Sequence, residues 1–312
     1  MQNSLPFSKT TTNHSMSNKK FAAFIVTFNR PDILMDTIQK MLDQTRPPDK
    51  LVIVDNNDND DTKNRAAQMF PGVEHIKVGH NSGFAGGGKV GLEKLAKEGY
   101  EWILWADDND PPYTSDTFEK LLQLGESYGS ACGQVGVVGH KLNKRTGLVV
   151  RTTNEELEKG EFMEVDTIGG GMIKMIRRES VLKGVLPDPK LWFGFEDLDH
   201  DLSQKRAGYK ILVHTGLFLD LRKKWNRLNF KKTSTVRKKD ESVLWREYYS
   251  IRNSLRVMVK NGYYMAFFSI LFVAVGKSLA SYKYGFRYGR LVTKTTFKAV
   301  RDYGLSRWYK RL

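Results

Sequence analysis

The stretch FAAFIVTFNRPDILMDTIQKMLDQTRPPDKLVIVDNN, residues 21–57, decides the fold. It begins and ends with short runs, 21–29 and 51–57, that are rich in β-branched and aromatic residues and finish in polar ones. Such runs predict buried strands. Between them, apolar residues recur at helical spacing after Pro31, a residue that favours a helix start. The stretch therefore predicts a strand–helix–strand unit with parallel strands.

The same alternation continues downstream. We predict a helix over about 60–69, a weak strand over 73–79, a helix over 87–99 and a strand over 101–106. A parallel sheet of this kind is covered by helices on both faces, and it binds ligands at the carboxyl ends of its strands. The predicted fold class is therefore α/β.

Polar side chains follow three of these strands at the points where they end. The first strand is followed by Thr27 and Asn29, the second by the acidic segment 55–58, and the strand EWILWA by the segment DDND, 107–110. Like charges so close together repel one another unless they face water or a cation. A solvated turn before two prolines has the same pattern. Oxygen ligands at a sheet edge also suit Mg²⁺ or Mn²⁺ carrying a diphosphate.

A glycine-rich segment, NSGFAGGGKVG, spans residues 81–91. Its glycines permit close approach of a ligand, and the next helix offers its N-terminal amides to a phosphate. The pattern GxGxxG at Gly86, Gly88 and Gly91 suggests a dinucleotide-binding fold, but that motif follows the first strand directly and this one does not. A glycine-rich surface loop is the other interpretation.

Acidic residues also begin a predicted helix in FEDLDHDLSQKRAGYK, 195–210. The helix dipole by itself favours acids such as Glu196, Asp197 and Asp199 in a first turn. A carboxylate is also the group that takes a proton from an attacking hydroxyl. Both interpretations stand on these residues alone.

Six motifs occur in order: VTFNRPD, VDNND, NSGFAGG, WADDND, IGGGMIKMIRRE and FGFEDLDHDLSQKRAGYKI. Together they resemble the inverting family 2 glycosyltransferases with the GT-A fold, and most closely the bacterial rhamnosyl- and galactofuranosyltransferases. The resemblance covers about residues 20–218. It implies a mostly parallel central sheet with helices on both faces.

The resemblance also implies roles for individual residues. The residues expected to contact the nucleotide are Thr27, Phe28, Asn29, Asp55, Asn81, Gly83 and Gly86. The metal ligands of the DxD motif correspond to Asp108 and Asp110 or, shifted by one position, to Asp107 and Asn109. We favour the first pair, since an asparagine is the weaker ligand for a hard cation, and we expect Asp107 to contact the ribose or the sugar.

Asp197 corresponds to the catalytic base of such enzymes, and Glu196 to a residue that positions the acceptor or the sugar. The sugar pocket is expected at Gly170 and Gly171. Trp192 either stacks on the sugar ring or packs under the following helix. Many relatives place a third metal ligand, a histidine, further on; in this sequence the expected ligand is Asp220, with His214 as the alternative.

These assignments imply an inverting transferase that uses Mg²⁺ or Mn²⁺. It would move a sugar from a UDP- or dTDP-sugar to a cell-surface glycan acceptor, which the same resemblance implies to be lipid-linked. A nucleotidyltransferase acting on a sugar phosphate is one alternative. A non-catalytic membrane-bound scaffold with a degenerate transferase domain is another, and a homo-oligomer is compatible with the sequence.

Charge separates the chain into two parts. The net charge is +15, yet residues 219–312 carry 23 Lys/Arg against 5 Asp/Glu. We predict a disordered tail at 1–19, a catalytic domain at 20–220, a basic loop at 221–243 and a helical membrane-associating region at 244–312.

Within that last region, residues 261–276 carry no charge, but they are too few to span a bilayer easily. This length favours an interfacial or re-entrant helix over a transmembrane one. A buried core helix is the alternative. Six basic residues then fall on one helical face: Lys283, Arg287, Arg290, Lys294, Lys298 and Arg301. Such a face attracts anionic lipid headgroups. Nucleic acid is not expected as a partner, because no base-reading motif accompanies the charge.

The single cysteine, Cys132, and an N-terminus without an apolar run predict a cytoplasmic protein. Together with the basic face, they place it on the inner side of the plasma membrane.

Overall fold

The computed structural model describes residues 19–169, 173–228 and 238–312. The predicted disordered tail lies outside these residues, except for Lys19. The strands are β1 Phe21–Thr27, β2 Lys50–Asp55, β3 Glu74–Lys77, β4 Trp102–Asp107, β5 Cys132–Gly136, β6 Gly139–Leu142, β7 Val149–Val150, β8 Phe162–Glu164, β9 Thr167–Ile168, β10 Lys174–Arg177 and β11 Lys210–His214.

The helices alternate with the strands in the first part of the chain and follow one another at its end. They are α1 Pro31–Leu42, α2 Asp61–Met69, α3 Gly83–Lys97, α4 Thr117–Tyr128, α5 Asn154–Leu157, α6 Arg178–Leu182, α7 Glu196–Arg206, α8 Thr215–Lys224, α9 Leu244–Lys260, α10 Tyr264–Ala280 and α11 Phe286–Gly304.

The central sheet has the strand order β3-β2-β1-β4-β10-β5-β11-β8. The pairs β1–β2, β1–β4, β2–β3 and β5–β11 are parallel, whereas β10 and β8 run antiparallel to their neighbours. The predicted mostly parallel sheet is therefore confirmed. A smaller sheet of β7, β6 and β9 lies beside it.

Strand β1 shows why the sheet is buried on both faces. All seven of its residues are buried, and its side chains alternate between two separate cores. Phe21 and Ile25 belong to one core; Phe24 and Val26 belong to the other. A continuous apolar run is what a strand covered on both sides requires.

The glycine-rich segment is mostly helical: the helix predicted over 87–99 is present but begins four residues earlier, so the alternative of a surface loop does not hold. Helix α3 begins at Gly83, and its glycines lie against the sheet. A β-carbon on Gly87 would lie 2.6 Å from Val26, and one on Gly91 would overlap the Phe24 ring. The glycines therefore let α3 pack unusually close to β1.

The C-terminal part of the chain is helical, as predicted. Helix α8 crosses the predicted boundary at 220 and ends at Lys224, so the first part of the predicted basic loop is helix. Residues 229–237 of that loop lie outside the described residues. Helices α9, α10 and α11 pack against one another through contacts such as the Ser278–Thr293 hydrogen bond of 2.8 Å.

Helix α10 presents an apolar face to the outside. Phe268, Phe272 and Leu279 are all more than 60% exposed. The segment Tyr264–Tyr284 is long and apolar enough to cross a membrane, by length and composition alone. Within its apolar 18-residue window, 22% of the helix is buried inside the protein. This exposure is not what a core helix shows.

Replacement of Gly91 by alanine tests the close packing of α3. The added methyl group would overlap the fully buried Phe24 ring, so we expect the free energy of unfolding to fall by about 1–3 kcal/mol. Gly276→Ala in α10 is the matched control, because nothing lies within 4 Å of its added carbon. The control should gain up to about 1 kcal/mol from helix propensity. Equal changes in denaturant midpoint for the two variants would contradict the packing argument.

Candidate active site at the carboxyl edge of the sheet

The predicted site residues meet because three parallel strands end at one edge. In the sheet, Thr27 of β1 lies opposite Asp55 of β2, and Val26 lies opposite Asp107 of β4. The residues that follow these strands therefore share one edge, where α/β sheets bind their ligands.

Asp108 is held from two sides. Its Oδ2 accepts a hydrogen bond of 3.0 Å from Thr27 Oγ1, and its Oδ1 accepts one of 3.2 Å from Arg30 Nη1. Its backbone oxygen accepts from Thr37 Oγ1 at 2.6 Å, and the residue is only 2% exposed. Both carboxylate oxygens of this predicted metal ligand are thus engaged by protein groups.

Asp55 is buried and braces the loop after β2. Its Oδ1 accepts from the Asn57 amide at 2.9 Å, and its Oδ2 lies 2.9 Å from His75 Nε2. Asn57 Oδ1 in turn accepts from the Asn29 amide at 2.9 Å. The segments after β1 and β2 are therefore fixed relative to each other, and Phe28 remains 41% exposed beside them.

The segment after β3 joins the same edge. Asn81 Oδ1 accepts from the Gly83 amide at 3.0 Å, and Gly83 has φ +75°. A β-carbon at Gly83 would overlap the Trp192 carbonyl group. Gly86 is buried inside α3 against Ser82, so its direct role in the structure is packing.

Two carboxyl groups at the end of β4 have raised pKa values. Burial and then the charge of Asp108 raise the pKa of Asp107 to about 7. Burial raises the pKa of Asp110 to about 6, although Asp110 accepts hydrogen bonds from Ile173 N and Tyr113 Oη, each at 3.0 Å.

Asp197 forms an ion pair with Lys174, the first residue of β10. The ammonium group of Lys174 also lies 4.1 Å from the Trp105 ring centroid, and the lysine is 2% exposed. Burial raises the pKa of Asp197, while Lys174 acts against this and favours the carboxylate. Lys174 was not among the predicted site residues: it lies in the motif IGGGMIKMIRRE, but the sequence does not show which residue it pairs with.

The neighbouring Glu196 makes no ion pair with any described residue. Its buried Oε2 atom has no hydrogen-bond partner among them, and burial followed by the charge of Asp197 raises the pKa of Glu196 to about 8. Two adjacent acids in one helix turn therefore have different surroundings: Asp197 contacts the Lys174 ammonium group, whereas Lys174 acts on Glu196 only at longer range.

The loop before α7 is held by α9. Asn253 Nδ2 lies 2.8–2.9 Å from the carbonyl oxygens of Leu191, Phe193 and Gly194. Trp192, Gly194 and Phe195 have φ values of +56°, +78° and +69°. This backbone is strained where it is not glycine, and the buried Asn253 amide keeps it in place.

Trp192 lies in an aromatic cluster rather than open to a ligand. It is 9% exposed, and its ring centroid lies 4.9 Å from that of Tyr249. Its Nε1 donates to the Asn81 carbonyl at 3.1 Å. Of the two interpretations, the structure shows packing, and Trp192 links the predicted nucleotide loop to the loop before α7.

Asp201, one turn after Asp197, fixes the helix to the sheet. Its carboxylate accepts from Gln134 Nε2 at 2.9 Å and from Thr167 Oγ1 and Ile168 N at 2.8 Å. Asp201 was not predicted, because it is one of several acidic residues in this helix and the sequence does not distinguish it from Asp197 and Asp199.

The predicted third metal ligand does not join the others. Asp220 is exposed on α8 and pairs with Lys223 at 3.2 Å, whereas His214 Nδ1 accepts from Leu217 N at the start of α8. Across the described ranges, no group of three or more His, Cys, Asp or Glu residues is arranged to hold a metal ion. Asp108, Asp110 and Asp220 thus form no such group. Gly170 and Gly171 lie outside the described residues.

Asp107→Asn tests the charge repulsion at the end of β4 in the absence of divalent ions. A raised pKa means that the folded protein binds this proton more tightly than the unfolded chain does. Wild-type protein therefore loses stability as pH rises from about 4 towards 7, and the substitution removes that loss. Between pH 5 and 7 the variant should gain about 1 kcal/mol per pH unit relative to wild type in denaturant unfolding. Exposed Asp220→Asn should show no trend; a flat difference for Asp107→Asn would contradict the assignment.

Comparison with solved structures shows the fold. The structure of GalNAc-T7 with UDP, GalNAc and Mn²⁺ superposes with a TM-score of 0.54 at 16% identity and covers 63% of this chain and 42% of that one. The mannosyltransferase PcManGT from Pyrobaculum calidifontis, in complex with GDP-Man and Mn²⁺, gives a TM-score of 0.51 at 13% identity and covers 92% and 88%. Both are glycosyltransferases, and the predicted GT-A fold is confirmed.

Sequence comparison agrees with this fold. Galactofuranosyltransferase GlfT1 of Mycobacterium tuberculosis strain H37Rv is 32% identical over 111 residues, and that of Mycolicibacterium smegmatis is 27% identical over 109 residues. Each alignment covers 35% of this chain and 36% of the relative, so the match spans about a third of the relatives' length. The profile of glycosyl transferase family 2 matches residues 22–184, more than half of the chain. The chain belongs to glycosyl transferase family 2.

Proposed function

We propose that this protein transfers a sugar, with inversion, from a nucleotide-diphosphate sugar to a glycan acceptor, and that Asp197 is the base. The observation that carries the proposal is the buried pair of Asp197 and Lys174 at the carboxyl edge of the sheet, close to the strand end that carries Asp107. A lysine beside the acid favours the ionised form that a base must have.

In this reaction the acceptor hydroxyl oxygen forms a bond to the anomeric carbon of the donor sugar. The bond from that carbon to the diphosphate oxygen breaks, and its electron pair leaves with the diphosphate. The hydroxyl proton goes to the Asp197 carboxylate. Glu196, with a pKa of about 8, remains protonated near neutral pH and donates a hydrogen bond to acceptor or sugar.

The donor nucleotide lies along the loops after β1, β2 and β3. Phe28 is the exposed side chain that contacts the base, while Asn29 and Asn81 present polar groups beside it. Asp55 acts indirectly, because its hydrogen bonds fix the loop after β2 that lies beside the nucleotide. UDP and dTDP remain the expected nucleotides, and the similarity to galactofuranosyltransferases makes a galactofuranose donor the first to test.

Mg²⁺ or Mn²⁺ fits this edge of the sheet. Magnesium sites commonly use one or two carboxylates together with substrate phosphates, which agrees with the lack of a three-residue group among the described residues. Asp107, whose pKa is raised by burial and then by the charge of Asp108, and Asp110, whose pKa is raised by burial, would hold the ion. Asp108 would orient the loop through Thr27 and Arg30. Bound there, the ion would supply charge that stabilises the departing diphosphate. This proposal shares Asp110 with the predicted pair Asp108 and Asp110.

The C-terminal helices support action at an anionic membrane surface. The exposed apolar face of α10 adjoins α11, whose exposed side carries Arg290 and Lys294 beside Phe297. Apolar side chains flanked by basic ones suit the boundary between headgroups and acyl chains. We therefore propose a cytoplasmic enzyme bound peripherally to the inner face of the plasma membrane, with a lipid-linked glycan as acceptor.

Asp197→Asn tests the base. The variant keeps the shape of the side chain but cannot accept the proton, so we expect kcat to fall by about 10²–10⁴-fold with donor-induced thermal stabilisation retained. Asp199→Asn is the matched control: Asp199 is in the same turn, is also buried and pairs with Lys260 at 2.7 Å. It should keep turnover within about tenfold of wild type.

Two outcomes would count against the proposed function. Full turnover by Asp197→Asn would remove Asp197 as the base. Failure of every UDP- and dTDP-sugar to stabilise wild type in the presence of Mn²⁺ would remove the donor site, and it would favour a non-catalytic scaffold.

Membrane binding is tested by sedimentation with vesicles of phosphatidylglycerol and phosphatidylcholine. The double variant Arg290→Gln with Lys294→Gln removes two exposed charges, each worth about 1 kcal/mol, so binding should weaken by about tenfold or more. Lys97→Gln, an exposed charge on α3, is the control and should bind like wild type. Equal sedimentation of both variants would contradict this surface.

A further inference from the structure

A second cavity, of about 300 Å³, lies beside the candidate active site and is rich in arginine. It is formed by β6, the segment around β7, and α8 with the residues that follow it. The walls carry Arg151, Arg222, Arg227 and His140, and Phe218 and Trp225 contribute aromatic surface. We call it the arginine pocket.

Arg222 is the unusual member of the arginine pocket. The residue is 3% exposed, yet its partners are neutral: Nη1 donates to Asn154 Oδ1 and Nη2 to the Thr152 carbonyl, both at 2.6 Å. Within the described ranges, its buried Nε atom has no hydrogen-bond partner, and Arg222 makes no ion pair with a carboxylate. The acids of α5 act on it only at longer range, and burying a guanidinium without a paired carboxylate is costly.

The surroundings reinforce the positive potential. Burial and then the charge of Arg151 lower the pKa of Arg222, and acids on α5, Glu155 and Glu156, offset this only in part. His140 Nδ1 is a second buried atom without a partner. Because burial and the two arginines lower the pKa of His140 to about 4, its ring is neutral at neutral pH and can donate one hydrogen bond.

The exposed side of the pocket is also prepared for a ligand. Arg227 lies over the Trp225 ring, 4.7 Å from its centroid, and its carbonyl oxygen accepts from Arg151 Nη2 at 3.1 Å. Arg222 lies over the Phe218 ring at 4.3 Å. Stacked guanidinium groups are held in fixed planes, which suits bidentate binding of an oxyanion.

Trp225 connects this pocket to the candidate active site. It also lines the neighbouring cavity of about 540 Å³ that contains Asp110 and Tyr113. The Trp225 and Tyr113 rings pack edge to face at 5.6 Å, and Tyr113 donates to Asp110. Two aromatic rings thus separate a carboxylate-rich site from an arginine-rich one.

We propose that the arginine pocket binds the phosphate or diphosphate group of the acceptor. Phosphoryl oxygens would accept hydrogen bonds from the unpartnered Nε of Arg222 and from Nδ1 of His140. Their negative charge would neutralise that of Arg227. The proposal rests on the proposed function, because it takes the acceptor to be a phosphorylated glycan; the donor diphosphate belongs to the Asp107 and Asp110 side of Trp225.

Calorimetric titration with pyrophosphate in EDTA, without nucleotide or metal, tests the pocket itself. Wild type should bind one pyrophosphate per chain. Arg227→Gln, an exposed position that leaves the fold intact, should bind about tenfold more weakly, and Arg222→Gln about tenfold or more. Arg145→Gln, an exposed arginine on the turn between β6 and β7, is the control and should bind like wild type. Absence of binding to wild type, or unchanged binding by Arg227→Gln, would overturn the proposal.

A kinetic arm identifies the source of the phosphate. With a glycan acceptor carrying a lipid diphosphate, Arg227→Gln should raise KM about tenfold with little change in kcat; with the same glycan as a neutral alkyl glycoside, KM should equal that of wild type. Equal KM increases for both acceptors would overturn the assignment to the acceptor phosphate. The pyrophosphate titration needs no donor, so its result stands apart from the donor test of the proposed function. Asp110→Asn should bind pyrophosphate like wild type; tighter binding by that variant would place the anion beside Asp110 in the donor site, where loss of a carboxylate relieves repulsion, and would overturn the proposal.

Discussion

Burial of carboxylates at the carboxyl edge of the sheet is the constraint around which the site is built. Asp107 and Asp110 lie at the end of one strand, and Glu196 and Asp197 begin the helix beside it. Burial raises the pKa of all four, and neighbouring carboxylates add to this for Asp107, Glu196 and Asp197. Of these four, Asp197 is the one that contacts a lysine. A cation with its diphosphate, bound at this edge as we propose, would offset the cost of burying these charges.

The C-terminal helices stabilise the part of the site that the sheet cannot reach. The sheet fixes the residues that follow β1, β2 and β4 by register alone, but the loop before α7 has a backbone that sheet hydrogen bonds do not support. Asn253 supplies three hydrogen bonds to that loop, and Arg252 adds one to Leu191 O at 3.4 Å. A helix bundle with an exposed apolar face on one side therefore positions the loop before Asp197 on the other.

The sequence predicted best what depends on local pattern. The run of β1 is apolar on both faces, and its burial in two cores follows directly from that pattern. The role of Gly91 could not be predicted, because the need for a missing side chain arises only when Phe24 lies against α3. Likewise, the roles of Lys174 and Arg222 depend on partners 23 and 68 residues away in sequence, which local pattern does not identify. Pairing between distant residues is set by the topology of the fold, which cannot be read directly from a single sequence.

The cavities on the two sides of Trp225 contain buried groups of opposite charge: one contains Asp110, and the other contains Arg222. On the Asp110 side, burial raises the pKa of the carboxyl; on the Arg222 side, a buried guanidinium contacts no carboxylate among the described residues. Burying either charge without an ionic partner is costly. Trp225 lines both cavities, and its ring packs against Tyr113, which donates to Asp110. A metal-bound donor diphosphate on one side and an acceptor phosphate on the other would satisfy both at once. The fold would then gain stability from its substrates, and the same charges would orient the two reactants.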